Sequence, residues 1–206
     1  MKTINYGIFC EDIVQKIFIE ALLAQLPAYL GRKTEIEFLL NQDPYERFRK
    51  NPNTKREIDN NFQSVAIVNF RDYQTDLVFV GRDLDHFEEN SFRAKKEEML
   101  QKLDTKIREK TIIFIPVQCI EYWLWYIKLH IENPQITKKE SLEKQRRDEA
   151  KKTIYGKSDA RNPKQLAIIE DTKILKNIEI AWLCSCSYSF NALLEDVKKF
   201  VTAFLT

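Results

Sequence analysis

Short apolar runs alternate along this chain with longer stretches in which apolar residues return every three or four positions. Ile4 to Cys10 reads as a short buried strand. Directly after it, Ile13, Ile17, Ala21 and Ala24, flanked by Val14, Phe18 and Leu22, recur at helical spacing, and Pro27 and Gly31 end that helix. "TEIEFLL" alternates like a second strand. Residues 41 to 61 are polar, carry two prolines and many charges, and read as a loop or surface insertion. "FQSVAIVNF" fits either a helix or a strand. "TDLVFV" is a third strand, and residues 91 to 109 follow as a helix with Phe92, Met99, Leu103 and Ile107 on one stripe. "TIIFIPV" is a fourth strand, a continuous apolar run of the kind that parallel sheets bury on both faces.

The second half of the chain is helical in pattern. "QCIEYWLWYIKLH" is apolar on nearly all sides and reads as a core helix. Residues 132 to 165 are strongly charged and read as an exposed helix closing at Gly156. Asn162-Pro163 looks like a cap and first position opening another helix. The final helix is the plainest: Ser189 is placed to cap it, and Phe190, Leu193, Leu194, Val197, Phe200, Val201 and Phe204 form its apolar stripe. Strands alternating with helices predict an α/β fold, with a mainly parallel sheet flanked by helices and a helical C-terminal part. Residues 1–206 are expected to form one domain, its core over about 1–131 and the charged region and closing helix over about 132–206.

Composition narrows the function classes. Hydrophobic residues make up 44% and charged residues 31% of the 206, the balance of a folded, soluble protein. A net charge of +2 gives no global argument for nucleic acid, and only a local basic face could supply one. "MKTINYGIFCEDIV" is acidic where a secretory leader must be apolar, and "CIEYWLWYIKLHI" is too short and too charged to span a bilayer, so no membrane association is expected. Cys10, Cys119, Cys184 and Cys186 lie in apolar runs without framework spacing and read as reduced thiols of a cytoplasmic protein.

The candidate chemistry lies at strand ends. "LVFVGRDLD" delivers Asp83 and Asp85 directly after the third strand, and Glu11 directly follows the first. In open parallel sheets, ligands collect outside the carboxyl ends of the strands. If both strands are central, Glu11, Asp83 and Asp85 meet at one edge. Gathered carboxylates repel and lose solvation, a cost that a hard cation offsets, so the pattern points to Mg²⁺ or Mn²⁺ and to phosphoryl chemistry. The plainer alternative is that Asp83 or Asp85 caps the next helix, and that Glu11 and Asp12 are favourable charges at a helix N-terminus. Arg82 stands either to hold a phosphate or to make a surface ion pair. Glu121, alone in an apolar helix, needs a metal, a cation or a proton; a buried pair with Lys128 or an arginine is the alternative. His86 and His130 read as a solvated loop residue and a helix-end residue, and Trp123, Trp125 and Tyr126 as core.

A Glu after the first strand and an Asp-x-Asp ending a later apolar strand resemble the Toprim fold of topoisomerases, primases and OLD-type nucleases. "IPVQCIEYWLWYIKLHIENP" is similar to the Glu-x-Trp-Leu segment of small bacterial Toprim-like proteins of the RloB kind, and "CSYSFNALLEDVKKF" resembles their closing Ser-x-Ser-Phe helix. The resemblance implies that Glu11 handles a proton or shares the metal, that Asp83 and Asp85 hold Mg²⁺ or Mn²⁺, and that Glu121 and Arg82 assist. Where the family often has Glu-Gly-x-x-Glu, this chain has Glu11-Asp12-Ile13-Val14-Gln15, without the glycine and with an amide for the second acid. The expected function is a metal-dependent nuclease or related phosphotransfer enzyme acting on DNA or RNA, in phage defence and beside an ATPase partner. A catalytically inactive regulatory or sensor subunit of such a complex is the alternative, and a small-molecule phosphate enzyme the third. The pattern leaves the oligomeric state open, a homo-oligomer included.

Overall fold

The computed structural model describes residues 1–41, 54–136, 141–156, 174–176 and 178–206. Four strands form one parallel sheet: β1 (Lys2–Cys10), β2 (Ile36–Leu40), β3 (Leu77–Gly81) and β4 (Thr111–Phe114), in the order β2-β1-β3-β4. The α/β class is therefore as the pattern predicts, and the sheet is parallel throughout. Between β1 and β2 lies α1 (Ile13–Tyr29); between β2 and β3 lies α2 (Lys55–Asp72). Then come α3 (Glu89–Gln101), α4 (Thr105–Arg108), α5 (Glu121–Glu132), α6 (Arg147–Tyr155), α7 (Ile180–Cys186) and α8 (Tyr188–Leu205).

Alternation along the central strands splits the core into two layers. Ile4, Tyr6, Ile8, Leu77, Phe79, Ile112 and Phe114 pack on one side with α1, α5 and α8. Phe9, Val78, Val80, Ile113 and Ile115 pack on the other with α2 and α3. Both faces are covered, which is why β3 and β4 are buried throughout and consist, apart from Gly81 and Thr111, of apolar side chains. Gly81 closes β3 under the Phe114 ring, where an added Cβ would lie 2.1 Å from Cζ. That close approach leaves room only for glycine at the end of β3, just before the acidic loop.

Several local readings change. "FQSVAIVNF" is helix, and α2 starts at Lys55 because Thr54 and Glu57 form a reciprocal capping box, so residues 55–61 are not loop. The stretch 91–109 is two helices, since the Asp104 side chain accepts from the amide of Ile107 and starts a new one. Pro27 lies inside the last turn of α1, and the turn ends at Gly31, with φ 68°. Gly156 closes α6 in the left-handed conformation as expected, with φ 72°. Ser187, rather than Ser189, caps α8 by accepting from the amide of Phe190. Both serines instead receive the indole N–H of buried Trp123, at 3.1 and 3.2 Å, which places Trp123 in the core. Helix α7 was not foreseen. The Asn162-Pro163 helix start lies outside the described residues. Among the described residues, no helix is long and apolar enough to cross a membrane.

Candidate active site

The strand order creates one topological switch point. From β1 the chain crosses to β2 on one side, and then returns to β3 on the other. The crevice between the carboxyl ends of β1 and β3 is where such sheets bind ligands. Glu11 and Asp83 occupy it. The amide of Glu11 donates to the carbonyl of Gly81 at 3.1 Å, extending the ladder one residue beyond the strands. The amide of Asp83 in turn donates to Glu11 Oε2 at 3.0 Å.

Gln15 stitches this edge together from the first turn of α1. It is fully buried. Its Nε2 donates to Asp83 Oδ1 at 2.8 Å, and its Oε1 accepts from the amide of Glu11 at 3.1 Å. Asp12 caps α1, accepting from the amide of Gln15 at 2.9 Å. The helix-terminus reading of Asp12 is thus correct, but Asp12 also faces the cluster. The third contribution comes from beyond β4. Ile115, Pro116 and Val117 turn the chain into α5, whose first residue is Glu121, 1% exposed. The buried partner of Glu121 is Lys151 of α6, not Lys128: Lys151 Nζ lies 3.8 Å from Glu121 Oε1. Tyr155, one turn further along α6, donates its hydroxyl to the same oxygen at 3.2 Å. Glu121 Oε2 is buried with no hydrogen-bond partner.

The electrostatics follow from crowding. Burial, and then the charges of Glu11, Asp12 and Glu121, push the Asp83 carboxyl well above the usual carboxylate range; Lys55 opposes the shift. Burial and the charge of Glu121 push Asp12 up to about 6. Burial also raises the Cys119 thiol, with Glu121 and Asp83 adding to it, so that it stays protonated and supplies no thiolate. The Tyr155 hydroxyl is raised for the same reasons and remains a donor.

The remaining candidates lie at the rim. Asp85 is exposed, has φ 66°, and ion-pairs with Lys55 at the start of α2. Its backbone conformation is one that Asp tolerates and that turns it out of line with Asp83. Arg82 gives its guanidinium to Asp59 of α2, at 2.6 and 2.8 Å, so it makes an ion pair with α2. His86 is an exposed loop residue, and His130 stacks on Trp182 in the last turn of α5. The structure thus brings together Glu11, Asp83 and Glu121, and adds Asp12, Gln15, Lys151 and Tyr155, which the sequence did not single out as site residues. The cap spacing Asp12-x-x-Gln15 was a legible signal for two of these. The i, i+4 spacing of Lys151 and Tyr155 was a signal only once α6 was known to lie on α5.

The donor set suits a hard divalent cation in type and charge: oxygen ligands, an excess of buried negative charge, and one buried carboxylate oxygen without a partner. Among the described residues, no three His, Cys, Asp or Glu side chains are already drawn together as a metal cage. No protein-family model matches the chain, and no curated protein or solved structure matches it. What fold and site define is a class: a parallel α/β protein with a buried carboxylate cluster at its switch point.

Proposed function

We propose that this chain is a divalent-metal-dependent phosphodiester hydrolase of Toprim-like type, acting on nucleic acid. One observation carries the reading: buried Asp83 and Glu121, which follow β3 and β4, lie near half-buried Glu11 and Asp12 after β1, and burial and the charges of these acids raise the Asp83 and Asp12 carboxyls at the switch point. A fold tolerates such a cluster at a cost in stability, and the usual compensation is function. Asp83 and Glu121 would hold Mg²⁺ or Mn²⁺, with Asp85 reaching it if Lys55 releases it. A cation bound there supplies charge stabilisation to a phosphate and lowers the pKa of a coordinated water. Glu11, half-buried and fixed by the amide of Asp83, is placed to take a proton from an attacking water. Gln15 holds Glu11 and Asp83 in register. Arg82 would support the loop through Asp59 rather than touch the phosphate.

A second reading has its own observation. Lys55 on Asp85 and Lys151 on Glu121 already place ammonium groups against the acids. This favours a Toprim-like module without catalysis, serving as a regulatory or sensor subunit beside an ATPase, with the charged surface around α6 as its contact face. Calorimetric titration with Mg²⁺ and Mn²⁺ separates the two, using wild type and an Asp83→Asn, Glu121→Gln variant. Saturable binding lost in the variant, followed by cleavage of plasmid, single-stranded DNA or tRNA, supports the hydrolase. A folded wild type that binds neither ion refutes it and favours the regulatory subunit.

A further inference from the structure

We propose that Lys151, brought in by the charged helix α6, is the residue that grips a non-bridging oxygen of the substrate phosphate, and that Tyr155 positions Glu121 for it. This inference rests on the reading of the cluster as a phosphodiester site.

Lys151 is set apart from the neighbouring lysines by its surroundings. Lys152 and Lys198 make solvated pairs with acids of their own helices at 2.9 Å. The Lys151 side chain is 22% exposed and points into the carboxylates. At 3.8 Å from Glu121 Oε1 its ammonium is within ion-pair range but beyond a hydrogen bond, and among the described residues it donates none. Three N–H donors thus stand beside the cluster unspent.

Among the described residues, Arg82 and Lys55 already have acidic partners. Arg82 is bound to both oxygens of Asp59, and Lys55 is held by Asp85. A phosphate approaching Glu11, Asp12, Asp83 and Glu121 meets like charge on every side. It needs a fixed cation opposite the metal, and among the described residues at the site Lys151 is the one whose donors make no hydrogen bond. A lysine suits this role because its ammonium is a compact point charge that can turn toward one oxygen.

The sequence makes the delivery rigid. Ala150 and Ile154 are 0% and 7% exposed and seat α6 on the core, so Lys151 and Tyr155, four apart on one face, both reach Glu121. Tyr155 takes Glu121 Oε1 and leaves Oε2 without a hydrogen bond. Helix α6 is therefore part of the site, not only a solvated surface.

The test uses the full chain as wild type, Lys151→Met, Lys151→Arg and Tyr155→Phe. Mg²⁺ binding is read by calorimetry. Phosphate binding is read by anisotropy of fluorescein-labelled single-stranded DNA and RNA oligonucleotides, with Ca²⁺ in place of Mg²⁺. Lys151→Met should weaken oligonucleotide binding about tenfold or more without weakening Mg²⁺ binding, which loss of the pair with Glu121 can only strengthen. Lys151→Arg should recover most of the loss, and Tyr155→Phe should weaken metal binding instead. Unchanged oligonucleotide affinity in Lys151→Met overturns the inference and leaves the metal reading intact. So does a wild type that binds Mg²⁺ but neither oligonucleotide. Parallel loss of both ligands with a lowered Tm assigns Lys151 a structural role and overturns it as well. A wild type that binds neither metal nor oligonucleotide overturns both readings.

Discussion

Gln15 Nε2 and Asp83 Oδ1 form a fully buried hydrogen bond of 2.8 Å that joins the first turn of α1 to the loop after β3. The same amide accepts from the backbone of Glu11. One neutral side chain therefore sets the spacing of the two acids that flank the switch point. A carboxylate in its place would keep the acceptor but turn the donor into a charge facing Asp83. Gln15→Glu is expected to lower the Tm of the metal-free protein at pH 7.5, by about 2 kcal/mol in stability. Mg²⁺ should recover part of that loss. Thermal melts with and without the ion check both halves, and an unchanged Tm would show that Gln15 is not the clamp described.

Burial and the neighbouring acids make the ionised form of Asp83 costly to the fold. Asp83→Asn keeps the acceptor for Gln15 and removes the repulsion from Glu11, Asp12 and Glu121. The variant should be more stable than wild type without metal, on the order of 1 kcal/mol, while metal binding is lost. Denaturant melts and calorimetry on the same preparation test this exchange of stability for binding. A destabilised Asp83→Asn would mean that the charge is compensated within the fold.

The pH dependence of stability should carry an inverted contribution from the cluster. Asp12 is pushed from an ordinary 3.8 up to about 6. Near pH 4 and below, Asp12 is protonated in the folded state, and its contribution is at its most favourable. Between about pH 4 and 6 the folded state keeps a proton that the unfolded chain has released, so stability falls as pH rises through that window. Above pH 6 the contribution is flat, and the full loss is about 3 kcal/mol at most. Asp83 acts in the same direction. Exposed ion pairs such as Asp148 with Lys152 work the opposite way on acidification, so the comparison must be with Asp12→Asn, which keeps the helix cap. Melts from pH 4.5 to 7.5 should show wild type gaining on the variant toward low pH. Parallel curves would refute the shift.

The sheet was legible in the sequence because β3 and β4 are buried on both faces and therefore written in mostly apolar residues. Glu11 and Asp83 were legible because each is the first acid after a mostly buried strand. What could not be read was direction. Asp85 follows Asp83 by two residues, yet φ 66° turns its side chain out to Lys55. Glu121 was visible as a misfit in an apolar helix, but its partner was not, because Lys151 lies 30 residues on and reaches it only through the packing of α6. Local pattern likewise put one helix over 91–109, where the Asp104 cap makes two, and set the cap of α8 at Ser189 because the Trp123 indole that takes both serines is remote in sequence.

Whether Asp85 belongs to the metal site depends on Lys55. The ion pair ties Asp85 to the first residue of α2, and the same ammonium lowers Asp83, so Lys55 sits between the two aspartates in charge if not in sequence. If Asp85 is a ligand, as the Toprim resemblance implies, the metal must displace this lysine, and each binding event includes breaking the pair. A partly exposed pair is worth about 0.2–1 kcal/mol, so Lys55→Met should raise Mg²⁺ affinity by up to about fivefold. Asp85→Asn should then lower it in both wild-type and Lys55→Met backgrounds. If Asp85 serves only the ion pair, Lys55→Met still removes a cation that repels a metal arriving near Asp83, but Asp85→Asn in that background changes nothing. Calorimetry on the four proteins of this cycle reads the coupling directly: a non-zero effect of Asp85→Asn in the absence of Lys55 makes Asp85 a ligand, and a zero effect restricts the metal to Asp83, Glu121 and their immediate neighbours.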